Sequence, residues 1–150
     1  MREAIRLSVE MMRQGKGGPF GALIVRDGQV IGRGWNQVTS TNDPTAHAEI
    51  VAIREACRET GSFLLPGCEL YSSCEPCPMC LSAAYWARLR RVYYAARRSD
   101  AAEAGFLDET IYKELAREPG ARSLPCAGLL RQEALAALQE WKMKPNKVPY

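Results

Sequence analysis

The chain has a single histidine, His47, and the residues around it limit the fold more than any other feature. His47 stands in Thr45-Ala46-His47-Ala48-Glu49, and Cys74-Glu75-Pro76-Cys77-Pro78-Met79-Cys80 follows later in the chain. Together they read H-x-E and P-C-x-x-C. Pro44 suits the first turn of one helix, and Pro76 with Pro78 opens another, because a helix start has no use for the missing N–H. A lone C-x-x-C is common. An imidazole and two thiolates drawn from two predicted helix starts form a metal constellation, which any fold of this chain has to assemble.

The remaining periodicity sets strands and helices in alternation around those two helices. Residues 2–14 form an amphipathic helix with Ile5, Val9 and Met12 on one side, stopped at Gly15 to Gly18. Residues 20–25 and 30–35 are two strands, and the Asp27-Gly28 pair between them signals a hairpin. A polar loop covers 36–43. The His47 helix starts at Pro44 and runs to about Thr60, where Gly61 ends it. A third strand spans 68–72, the cysteine helix 77–88 and a fourth strand 91–96. Helices follow at 108–117 and 131–142, the latter with Leu135, Leu138 and Trp141 on one side, and a short fifth strand is expected near Leu124. This order implies a three-layer α/β/α sandwich on a central mixed sheet of four to five strands. One domain covers residues 1–141, and an irregular tail covers 142–150.

Composition excludes more than it assigns. The length of 150 residues suits a single domain, and 47% apolar residues supply a core. No apolar run approaches the length of a membrane span, and the first residues lack the apolar block of a signal peptide. Cytoplasmic residence without a membrane partner is therefore expected. The net charge of +3 is mild, and the cluster Arg88, Arg90, Arg91, Arg97 and Arg98 reads as a solvated rim rather than a nucleic-acid face. The cysteines at 57, 68, 74, 77, 80 and 126 fit metal chemistry better than disulfides in such a chain.

The residue types explain one another chemically. His47, Cys77 and Cys80 supply three ligands and leave a fourth position to water or hydroxide, the arrangement of a catalytic zinc, one ion per subunit. Cys77 and Cys80 are three apart, so both thiolates lie on one face at a helix start, where the helix dipole favours their ionised form. Water on such an ion becomes a nucleophile near neutral pH, and Glu49 fits as the proton shuttle. On an ideal helix residues two apart sit about 200° apart, so His47 and Glu49 can converge only near an open helix end. Cys74 and Cys77 also form C-x-x-C. Pro76 before Cys77 favours Cys77 and Cys80 as ligands, with Cys74 at a strand end beside the site. A purely structural site made of Cys74, Cys77, Cys80 and His47 is the alternative, but it gives Glu49 no purpose.

At these residues the sequence resembles the bacterial guanine deaminases of the cytidine deaminase-like superfamily, over nearly the whole chain. The superfamily's zinc signature is H-x-E with P-C-x-x-C. Gly17-Gly18-Pro19-Phe20-Gly21-Ala22, the stretch 42–49, the stretch 73–80 and Tyr85-Trp86-Ala87-Arg88 resemble motifs that tRNA adenosine deaminases share. The stretch from Asp100 to Asp108, then Ile111-Tyr112-Lys113-Glu114 and Tyr150, resembles the guanine deaminase pattern instead.

The resemblance implies a hydrolase of purine metabolism (an amidine hydrolase) that converts guanine to xanthine and ammonia. In it, zinc-bound hydroxide attacks C2 and Glu49 moves the proton to the ring and then to the amine. Asn36 would hydrogen-bond the purine, Phe20 pack against its ring, Asp108 read an N–H edge and Tyr150 close the pocket from the tail. A homodimer follows, with C-terminal segments exchanged between subunits. Trp86 and Trp141 read as core or dimer contacts, and Met79 as packing under the metal. Two rival readings are a deaminase of tRNA adenosine or of another nucleobase or nucleoside, and a non-catalytic zinc module.

Overall fold

The computed structural model describes residues 1–149. Its elements run α1 (Arg2–Arg13), β1 (Gly21–Arg26), β2 (Gln29–Trp35), α2 (Val38–Thr41), α3 (Ala48–Thr60), β3 (Glu69–Cys74), α4 (Pro78–Trp86), β4 (Arg91–Ala96), α5 (Arg98–Glu103), α6 (Asp108–Leu115) and α7 (Arg131–Met143). Asp27 and Gly28, at φ 49° and 78°, form the two-residue turn between the paired Arg26 and Gln29. Two successive positive φ values define the turn that matches the right-handed twist of a hairpin. The sheet order is β2-β1-β3-β4. β1 is antiparallel to both β2 and β3, and β4 lies parallel to β3 after the α4 crossover.

Strand alternation assigns the two faces of the sheet. Gly21 abuts the backbone of Ala4 and Ser8 in α1, whereas Ala22 and Ile24 join Ala48, Ala52 and Ala56 of α3 in the core. Helices therefore cover both faces of a mixed four-stranded sheet. Gly32 and Gly34 of β2 meet α3 so closely that a Cβ at Gly34 would run into the Ala48 carbonyl and the Ala52 nitrogen. Gly34→Ala is accordingly expected to lift the first turn of α3 and destabilise the protein by about 1–3 kcal/mol. Thermal unfolding checks this, and an unchanged Tm would mean that the helix yields at no cost.

Four local readings are corrected. α3 starts at Ala48 and not at Pro44. The Thr45 N–H and hydroxyl both donate to Asp43 Oδ1, at 2.8 and 2.7 Å, and hold that segment as a turn; His47 stays extended at φ −68°, ψ 155°. The loop 36–43 contains the single turn α2, where the Thr41 hydroxyl donates to the Gln37 carbonyl at 2.8 Å. No fifth strand forms near Leu124 among the described residues. There the Ser123 N–H and hydroxyl donate to the Glu114 carboxylate at 2.6 and 2.9 Å, and an irregular segment follows. Of the two roles read for Trp86 and Trp141, their exposure rules out the core and leaves the dimer contact. Met79 does pack against the buried Ile50, Cys77 and Cys80.

The chain divides into two compact units, Met1–Glu109 and Thr110–Tyr150. The first holds the whole sheet together with Cys80 and with His47, Glu49, Cys77 and the cavity those three line. In the second, α7 buries no residue, and Leu138, Trp141 and Met143 are exposed. Among the described residues no helix is long and apolar enough to cross a membrane.

Candidate active site

Two helix N-termini build the site. His47 is the N-cap of α3, and Cys77 is the N-cap of α4 at φ −66°, ψ 169°. Cys80 follows in the first turn of α4. His47 Nδ1 lies 3.6 Å from Cys77 Sγ and 3.5 Å from Cys80 Sγ, and the three ligand atoms fall within 4.8 Å of one another. A tetrahedral ion with Zn–S near 2.3 Å and Zn–N near 2.0–2.1 Å sets nitrogen and sulfur about 3.5 Å apart. The donor set and its spacing therefore fit one shared zinc ion.

The same closeness polarises the ligands. A hydrogen bond from the Cys80 thiol pulls the Cys77 thiol down to about 4, against the effect of burial and with help from His47. Cys80 is pushed up by that same hydrogen bond and by burial. His47 is raised, chiefly by its hydrogen bond to Cys77. One thiolate, one thiol and an imidazole thus share protons that a metal ion would displace.

Glu49 lies in the first turn of α3 and is 6% exposed. The Ser72 hydroxyl of β3 donates to its Oε1 at 3.1 Å, and the Cys80 thiol donates to its Oε2 at 3.5 Å. Burial raises its carboxyl above the usual range. The problem of residues two apart on a helix is solved by the cap: His47 stands outside the helix, so both side chains reach the same cavity.

That cavity measures about 560 Å³, and its walls include Phe20, Asn36, His47, Glu49, Cys77 and Asp108. This volume lies in the range of small-molecule sites. Cys80 sits fully buried behind the wall. Tyr150 lies outside the described residues. Asn36 Oδ1 accepts the N–H groups of Gly18 and Val38, each at 3.3 Å. Both lone pairs of that oxygen are engaged, so Asn36 offers the cavity only its N–H donors. Asp108, the first residue of α6, is half-buried, and burial raises its carboxyl, followed by the nearby Cys77.

Cys74 takes no part in the ligand trio. Its thiol donates to the Arg97 carbonyl at 3.7 Å, and burial pushes it up to about 11. Sequence reasoning also passed over several wall residues, among them Val38, Thr39, Glu75 and Phe106. Phe106 meets Phe20 edge-to-face at 4.8 Å and 81°. The Ala104-Gly105-Phe106 stretch, a helix stop followed by an aromatic ring, was the available signal.

The sequence pattern described as the zinc-binding region of cytidine and deoxycytidylate deaminases matches residues 1–96. The chain is 51% identical over 150 residues to guanine deaminase of Bacillus subtilis, covering 100% of this chain and 96% of that one. The X-ray structure of that protein superposes with a TM-score of 0.96 over 99% of this chain and 95% of that one. A structure of guanine deaminase from Nitrosomonas europaea, 30% identical, gives a TM-score of 0.67 over 95% of this chain and 82% of that one. The tRNA-specific adenosine deaminase of Agrobacterium fabrum is 49% identical over 89 residues, which is 58% of this chain and 59% of that one.

Proposed function

This chain belongs to the cytidine and deoxycytidylate deaminase family, and from that premise we propose that it is a zinc-dependent guanine deaminase, hydrolysing guanine to xanthine and ammonia. The observation that carries the reading is where the likeness extends. The family pattern ends at residue 96, yet the likeness to a guanine deaminase runs through all 150 residues. The adenosine deaminase match covers little more than half the chain.

His47, Cys77 and Cys80 would hold the zinc ion, which when bound acidifies water and supplies a nucleophile near neutral pH. Glu49 does the proton work. Its buried carboxylate is a stronger base than an exposed one, the Ser72 hydroxyl fixes its Oε1, and both hold it ready to take a proton beside the ligands. It passes that proton to a ring nitrogen as the water oxygen bonds to C2, then carries the proton of the new C2 hydroxyl to the amine; the C2–N bond breaks, ammonia leaves and C2 keeps its oxygen as a carbonyl. Asn36 donates to an acceptor edge of guanine (O6 or N7). Asp108 accepts from an N–H edge, and the Phe20 ring packs against the flat base.

Residues 142–150 form a tail that closes the site through Tyr150, in a cytoplasmic homodimer with exchanged C-terminal segments. The exposed Leu138, Trp141 and Met143 of α7 support a second copy as their cover. Deleting 142–150 should leave zinc binding intact and remove most guanine turnover, and the full chain should weigh as a dimer in solution. Full activity after the deletion, or a monomer, would contradict that part.

The substrate is tested by offering the zinc-loaded protein guanine, adenosine, cytosine and a tRNA in parallel and following xanthine and ammonia. Turnover of guanine alone is the expected outcome. Turnover of the tRNA with guanine untouched would move the chain to the adenosine enzymes.

A further inference from the structure

α5 is only six residues long, yet local hydrogen bonds close both of its ends. At its start the Arg97 N–H donates to Asp100 Oδ2 at 2.7 Å. At its finish the Phe106 N–H donates to the Ala101 carbonyl at 2.9 Å, and the Gly105 N–H to the Ala102 carbonyl at 3.0 Å. These are the two bonds of a Schellman motif. Gly105 supplies the required positive φ, +93°, which a Cβ would disfavour. Phe106 is the residue this helix stop presents, and its ring lands edge-on against Phe20.

A second cavity, of about 190 Å³, is lined by Phe20, Phe106 and Cys74 together with Ile5 of α1 and Ala101 and Ala104 of α5. Phe20, Phe106 and Cys74 line the main cavity as well. The polar groups around the smaller space are already engaged. The Ser8 hydroxyl donates to the Ile5 carbonyl, Ser73 Oγ accepts the Gly21 N–H, and Asp100 holds the Arg97 N–H. Such a space attracts no polar ligand of its own. Its importance lies in what separates it from the base pocket.

We propose that Phe106 is a specificity-determining residue. Paired with Phe20, it is the partition that ends the base pocket and keeps the smaller cavity out of it, so that an unsubstituted purine fits and a methylated one does not. This rests on the purine reading above. Without the Phe106 ring the two cavities join: guanine loses a wall it is held against, and a methyl group gains room.

The test compares wild type, F106A and F106L, each zinc-loaded, on guanine and its N7-, C8- and N9-methyl derivatives. F106A should raise the KM for guanine about tenfold and narrow the preference over at least one methylguanine by a similar factor. Its kcat on guanine should stay near wild type, the pattern of lost ground-state binding. F106L should recover part of both effects. Gly105→Ala, which keeps the ring and strains its support, should move the same quantities in the same direction.

A readout without turnover is the alkylation of Cys74 by iodoacetamide, mapped by peptide mass, which should speed up in F106A because Cys74 faces both cavities. An F106A protein with wild-type zinc content and Tm, unchanged guanine KM and unchanged discrimination overturns the partition. If F106A loses zinc, F106L carries the comparison. If wild type turns over no guanine, the guanine reading alone has failed, and the partition is then decided by Cys74: faster alkylation in F106A supports it, and an equal rate overturns it.

Discussion

Glu49→Gln should lower guanine turnover by about 10²–10⁴-fold while leaving zinc content unchanged. Glutamine keeps the shape, and its amide oxygen can still accept the Ser72 hydroxyl that now fixes Oε1. What it cannot do is take up and release a proton. Activity within a fewfold of wild type would remove Glu49 from the chemistry.

The same variant carries a pH signature in the metal-free protein. Burial raises the folded-state value of Glu49 above its ordinary 4.5. Its contribution to stability is thus fully present below that ordinary value and is lost as pH rises through the raised one. Glutamine has no charge to bury, so the Tm of Glu49→Gln relative to wild type should climb between pH 4 and neutrality. A difference that shrinks over that range would contradict the burial account.

Removal of zinc by a chelator is the second large effect. Turnover should vanish and return on adding zinc, with a fall in Tm, because an ion that binds only the folded state stabilises it by mass action. The ligand protonation makes this prediction sharper. Cys77 is held near 4 and meets zinc as a thiolate, whereas Cys80 is pushed up and meets it as a thiol. Zinc binding at neutral pH should therefore release at least one proton, from Cys80, and weaken as pH falls. Calorimetry in two buffers of different ionisation heat counts that proton. Binding with no proton release would mean that both sulfurs are already ionised.

What the sequence disclosed depended on how local the cause was. The hairpin could be read because Asp27 and Gly28 alone set the two positive φ values. The metal trio could be read because each half is a few residues at one helix start. The onset of α3 was misplaced because Pro44 suits a first helical turn, while the Asp43 carboxylate captures Thr45 and holds a turn there instead. α2 and α5 were missed because four and six residues are too few to show a period. The absent fifth strand reflects the hold of Glu114 on Ser123, a side-chain contact invisible to periodicity. Asn36 was singled out, but its restriction to donor follows from the two backbone groups that fill its oxygen. Phe106 needed the sheet, α5 and the Phe20 ring together before it had a place at all.

The fate of solvent oxygen decides whether the chain hydrolyses guanine. Zinc-loaded protein is incubated with guanine in water enriched in oxygen-18, and the xanthine is analysed by mass spectrometry alongside the ammonia released. Hydrolytic deamination at C2 should place one labelled oxygen on that carbon for every ammonia freed. Xanthine without label, or no xanthine from a protein with its zinc site filled, would contradict it.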